Sequence, residues 1–136
     1  QVKLAGSELE QALTELKQEL MAKSQATEIF GVERQKNSIA GIVGNVFQSF
    51  SGQALYSSLE EKAAHLLYFV VKNHPFVDGN KRSGAFAFVW FLKKAHILNT
   101  ARMTPEALTA LTLLVAESNP KDKPQVVGLI LMLLKK

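Results

Sequence analysis

The sequence predicts an all-α domain of about six to seven helices, with one stretch suited to a short β-hairpin. Apolar residues recur at three- and four-residue spacing through most of the chain, the period of a helix with one buried face. Helix-start signals precede those runs, with Ser57 and Ser58 followed three residues later by Glu60 and Glu61, and Thr104 followed by Pro105. No internal repeat, low-complexity segment or interior domain boundary interrupts them. Residues 1–24 are expected to form an amphipathic helix that packs on or leads into the domain formed by residues 25–136.

The first helix is placed at Ser7–Lys23 by Leu9, Leu13, Leu16 and Leu20, with Ser7 and Glu10 spaced as a capping box. Two heptads are short for a coiled coil, so this face is expected to pack on the domain. Residues 24–36 are mixed and broken by Gly31. A second helix is expected over Asn37–Gln48, with Ile39, Ile42, Val43, Val46 and Phe47 on its apolar face. Gly41 and Gly44 each cost it about 1 kcal/mol, which suggests that another backbone approaches them closely. Ser49–Tyr56, with Gly52 and few charges, is a loop or a short hairpin.

The Ser57/Ser58 boxes open a helix over Leu59–Asn73, with Leu59, Ala63, Leu66, Leu67 and Val70 as its buried stripe. Another runs from Gly79 to Lys94, where Lys93 and Lys94 oppose the helix dipole. Thr104 caps a helix reaching Glu117, and a turn at Asn119–Pro124 leads to a last helix at Val126–Leu134. The longest apolar runs, Ala85–Leu92 and Val126–Leu134, read as fully buried. Neither approaches the roughly 18–20 residues that span a bilayer, so no membrane partner is expected.

A hydrophobic content of 47% is far above that of disordered chains. The net charge of +4 favours acidic partners such as nucleotides. No basic block exceeds a pair, so nucleic acid is not expected as a partner. The absence of cysteine excludes disulfides, thiol catalysis and cysteine-held zinc. It permits a reducing cytoplasm, the expected location, and no signal peptide is visible. The chain begins at Gln1 rather than Met, as a piece of a longer protein would.

The chemistry is concentrated in His74-Pro75-Phe76-Val77-Asp78-Gly79-Asn80-Lys81-Arg82, between two apolar helical runs. Such a loop closes on the start of a helix, whose first N–H groups lack internal partners and attract anions. Gly79 lets the backbone come close to a ligand, and Lys81 and Arg82 add full charges where a phosphate would sit. Asp78 offers an oxygen of the kind Mg²⁺ shares with substrate phosphates. His74 is placed to act as general base. Taken singly, His74 would be a helix-end cation, Asp78 a helix N-cap and Phe76 a core anchor. The cluster shifts the first two toward function. His65 reads as helix packing, and neither it nor His96 is given a role.

These residues resemble the signature of the Fic/Doc proteins, His-x-Phe-x-Asp/Glu-Gly-Asn-Gly/Lys-Arg, at every fixed position. The resemblance implies a helical Fic/Doc domain that uses Mg²⁺ and a nucleoside triphosphate, ATP foremost, to modify a Ser, Thr or Tyr hydroxyl of a target protein. It makes His74 the base, Asp78 the metal ligand and Phe76 the loop anchor. Gly79, Asn80, Lys81 and Arg82 become the phosphate cradle. Residues 49–56 take the position of the family's flap, which holds the target peptide by strand-like pairing.

Lys81 stands where members that transfer AMP often have Gly and Doc-type toxins have Lys, which leans toward phosphoryl transfer over nucleotidyl transfer. Ala85 occupies the position of the second arginine typical of AMP-transferring members, and Ser83 that of a usual Thr. The self-inhibitory signature Ser/Thr-x-x-x-Glu-Gly/Asn is absent: Ser24 and Glu28 have the spacing, but Ile29 follows. Restraint is therefore expected from a partner such as an antitoxin. Two rival classes are a binding module that kept the loop without turnover, which Ala85 favours, and a basic helical nucleic-acid binder.

Overall fold

The computed structural model describes residues 6–135. Its elements, in chain order, are α1 (Gly6–Ala22), α2 (Ser38–Val46), β1 (Ser49–Phe50), β2 (Gln53–Ala54), α3 (Leu59–Asn73), α4 (Asn80–Lys94), α5 (Pro105–Glu117), a 3₁₀ turn (Pro120–Asp122) and α6 (Lys123–Leu134). The expected all-α class holds.

α3 is the hub, packed against α2, α4, α5 and α6, while α1 lies on α2 and α4. A helix with neighbours on every side buries more than a stripe. Ala64, His65, Tyr68 and Val71 are buried along with the expected Ala63, Leu66, Leu67 and Val70. Ser58 caps α3: its hydroxyl accepts from the Glu61 N–H at 3.0 Å, and the Glu61 carboxylate accepts from the Ser58 N–H at 3.2 Å. Of the two overlapping boxes this is the one that forms, and Ser57 instead donates to the same carboxylate at 3.0 Å. α3 and α4 approach closely at Gly84, where an added Cβ would stand 2.7 Å from a Val71 methyl.

Several expectations are corrected. Ser7 lies inside α1 rather than capping it, since the helix already includes Gly6. Among the described residues, Gly41 and Gly44 have nothing within 4 Å of an added Cβ. The close approach to α2 comes from Gly6, whose Cβ would sit 3.1 Å from the Ala40 Cα. α6 starts at Lys123 with Pro124 in its first turn, and it is not fully buried. Val126, Val127 and Ile130 face inward, but Leu129 and Met132 are exposed, because among the described residues the α-helical neighbours of α6 are α3 and α5 alone. Ala85–Leu92 is likewise one-sided, with Ala85, Phe86, Val89 and Trp90 only partly covered.

The stretch read as loop or hairpin is a hairpin. Ser49 pairs with Ala54 and Phe50 with Gln53 in antiparallel register. Ser51 and Gly52 between them have φ of 53° and 81°. Positive φ at both central residues is what a type I′ turn requires.

The hairpin runs into Tyr56, whose ring stacks on His65 with centroids 3.7 Å apart. His65 Nδ1 lies 2.8 Å from the Glu61 carbonyl, which can only accept, so Nδ1 carries the proton. Burial holds the His65 imidazole below its ordinary 6.5, with nearby Lys123 acting the same way; the Glu61 contacts oppose them. On acidification the unfolded chain therefore takes up this proton before the folded one does. The stability tied to neutral His65 is present above pH 6.5 and is lost as pH falls below it. Glu61 is held below 4.5, chiefly by the Ser58 N–H, and acts in the same direction in more acid solution. The urea midpoint is expected to drop between about pH 7.5 and 5.5, and His65→Phe is expected to flatten that step.

Candidate active site

α3 stops at His74, whose φ of 50° and ψ of 58° turn the chain out of the helix into the left-handed region. Pro75, with no N–H to continue the ladder, follows. The loop then dives inward, leaving Phe76 only 2% exposed against Ile39, Leu13 and the rest of the core. Asn80 staples that turn from both sides. Its Oδ1 accepts from the Phe76 N–H at 2.9 Å, and its Nδ2 donates to the Phe76 carbonyl at 3.0 Å. These bonds commit one acceptor site and one donor of the side-chain amide to the loop, while the Asn80 main-chain N–H stays free at the helix start.

Gly79 caps α4 with φ of 86°, a left-handed conformation that favours glycine. It makes no side-chain cap, and the Asp78 carboxylate has no hydrogen bond or ion pair among the described residues. Asp78 is therefore not the N-cap that its position before a helix suggested. The N–H groups of Asn80, Lys81 and Arg82 open the helix without intrahelical partners, and the first ladder bond runs from Ser83 N to Gly79 O at 2.8 Å. The Ser83 hydroxyl is fully buried and has no hydrogen-bond partner among the described residues.

A second segment, outside the motif, completes the site. Residues 30–34 run alongside the loop as a strap. Gly31 N donates to Asp78 O at 3.0 Å, Val77 N to Val32 O at 2.8 Å, and Arg34 N to Pro75 O at 2.8 Å. Phe30, fully buried, covers Gly79, and the Arg82 guanidinium lies over its ring at 4.6 Å. Arg82 Nη1 also donates to Gln25 O at 2.6 Å. Glu33 caps α2 by accepting from Ile39 N at 2.8 Å. Arg34 Nε donates to the Phe76 carbonyl at 3.1 Å.

Loop, helix start and strap enclose one open cavity of about 440 Å³. His74, Asp78 and every residue from Gly79 to Arg82 border it, and Arg34 joins them from the strap. His74, Lys81 and Arg82 are exposed, so the imidazole and the two cations face solvent. Phe76 lies outside the lining and supports the loop from behind.

The sequence model of the Fic/DOC family matches residues 8–92, from α1 through most of α4, more than half of the 136 residues. The chain belongs to the Fic/DOC family. Comparison with curated proteins and with solved structures found no match.

The Fic/DOC motif thus brings six of its seven singled-out residues to one cavity. Sequence reading missed Phe30, Glu33 and Arg34. Gly31, the break already noted there, was the one local sign of an ordered turn. No periodicity reveals that this segment pairs with a loop 42 residues further on.

The family implies Mg²⁺, and the donor set suits it. Among the described residues no cluster of three or more carboxylates, imidazoles or thiols offers a closed cage. One uncommitted carboxylate beside the free N–H groups of α4 and the Lys81 and Arg82 cations matches the way Mg²⁺ is shared between protein and nucleotide. Asp78 is the residue that would hold it. No helix among the described residues is long and apolar enough to cross a membrane.

Proposed function

We propose that this Fic/DOC domain transfers a phosphate-containing group from a nucleoside triphosphate, ATP foremost, to a Ser, Thr or Tyr hydroxyl of a target protein. The observation that carries this reading is the convergence of His74, Asp78 and the cationic start of α4 on one cavity. The free N–H groups of α4 and the side chains of Lys81 and Arg82 bind the phosphates and neutralise charge that builds up during in-line displacement. A ring nitrogen of His74 takes the hydroxyl proton as the oxygen bonds to phosphorus. The bond from that phosphorus to the leaving group breaks, releasing pyrophosphate for nucleotidyl transfer or the nucleoside diphosphate for phosphoryl transfer. Asp78 would hold Mg²⁺, which would supply further charge neutralisation on the phosphates. The hairpin at 49–54 serves as the flap along which a target segment is held.

Lys81 in place of Gly favours phosphoryl transfer. A cytoplasmic site of action fits, since nucleoside triphosphates and Mg²⁺ are abundant there. Family membership also supports a toxin restrained by a partner protein.

Cell lysate incubated with the protein, Mg²⁺ and nucleotide labelled on the α- or the γ-phosphate tests the reading. A His74-dependent protein band from the γ-label alone is expected. A band from the α-label would assign nucleotidyl transfer instead. No His74-dependent band with any of the four nucleotides would favour a binding module without turnover.

A further inference from the structure

We infer that Arg34, from the strap, is a nucleotide-phosphate ligand of this site and supplies the second guanidinium that Ala85 cannot. This deepens the proposed reading of the cavity and rests on it. Ala85 is a partly covered alanine on α4 that lies outside the cavity lining. Arg34 borders that cavity together with Lys81 and Arg82, although it stands far from them in sequence.

Arg34 is exposed, but it is held in place rather than free to move as a surface cation. The main chain is anchored by Arg34 N to Pro75 O at 2.8 Å, and the side chain by Nε to Phe76 O at 3.1 Å. The Phe76 carbonyl is itself fixed by Asn80 Nδ2 at 3.0 Å. One edge of the planar guanidinium is thereby committed to the motif loop. Nη1 and Nη2 make no hydrogen bond or ion pair among the described residues. A planar fork fixed on one side, with donors free at a cavity already lined by cations, suits bidentate binding of a phosphate. Glu33, the neighbouring charge, is turned away to cap α2, so it does not neutralise Arg34. The strap thus places a cation where the motif alone lacks one, and Arg34 is the residue that couples loop position to the outer phosphates.

Titration calorimetry of wild type, Arg34→Ala and Arg34→Lys with Mg·ATP and with AMP tests this, with thermal melting of each variant alongside. Arg34→Ala is expected to weaken ATP about 10- to 100-fold, the effect of losing charge-assisted hydrogen bonds. AMP is expected to change less than about threefold, and Arg34→Lys to fall between, since it keeps charge without the fork. A merely structural staple would lower the melting temperature and weaken ATP and AMP alike, and that pattern would overturn the assignment. Unchanged ATP affinity in Arg34→Ala, with wild type binding normally, would overturn it while leaving the nucleotide site intact. Failure of wild type to bind ATP, GTP, UTP or CTP would overturn the site reading and this inference with it.

Discussion

His74→Ala is expected to lower the rate of group transfer by about 10²- to 10⁴-fold, the usual contribution of a positioned general base. The fold should barely notice. The imidazole is exposed, packs on nothing in the core and makes no hydrogen bond among the described residues, so its removal orphans no buried group. Its backbone is another matter. A φ of 50° costs a residue with a Cβ about 1 kcal/mol relative to glycine. His74→Gly should therefore be as inactive as His74→Ala yet at least as stable as wild type. Paired measurements of label incorporation and melting temperature distinguish catalysis from folding here. Retention of more than about a tenth of the wild-type rate by both variants would contradict a base role for His74.

Gly79→Ala is expected to destabilise the protein by about 2–5 kcal/mol, adding left-handed strain to overpacking. The strain comes from the φ of 86°. The overpacking comes from Phe30, whose Cε2 and Cδ2 would lie 2.4 and 2.5 Å from the new methyl. Phe30 is fully buried and cannot simply swing aside. It also carries the Arg82 guanidinium, so displacing the ring disturbs Arg82 at the cavity as well as the core. The two causes can be separated. Combining Gly79→Ala with Phe30→Leu relieves the clash and leaves the strain, so the double variant should be more stable than the two single effects add up to. Strict additivity in denaturant unfolding would show that ring and glycine do not meet as described.

These two residues mark the boundary between what local chemistry specifies and what it does not. That Gly79 is needed was legible, because a glycine before a cationic helix start invites close backbone approach. What approaches it was not legible, because Phe30 lies in a segment without periodicity and meets the loop only after the chain has folded. Arg34 was invisible for the same reason. Conversely, the bounds of α3 and α5 were read from the chain alone because capping chemistry is local. Ser58 with Glu61 starts one helix, His74-Pro75 ends it, and Thr104-Pro105 starts the other.

The chain by itself determined the all-α class, the span of the central helix and a motif that unites imidazole, carboxylate and cations in one loop. Each of these depends on interactions within a few residues or on helical period, and both are written in the order of side chains. Tertiary structure alone decided the rest. Among the described residues, it exposed one face of α6 for want of a neighbour on that side and left Gly41 and Gly44 with no close neighbour. It committed the Asn80 side chain to the Phe76 backbone and left the Asp78 carboxylate uncommitted. It also brought the 30–34 strap, with Arg34, to the rim of the cavity. Those outcomes depend on which surfaces meet after long loops close, and no local spacing encodes such meetings.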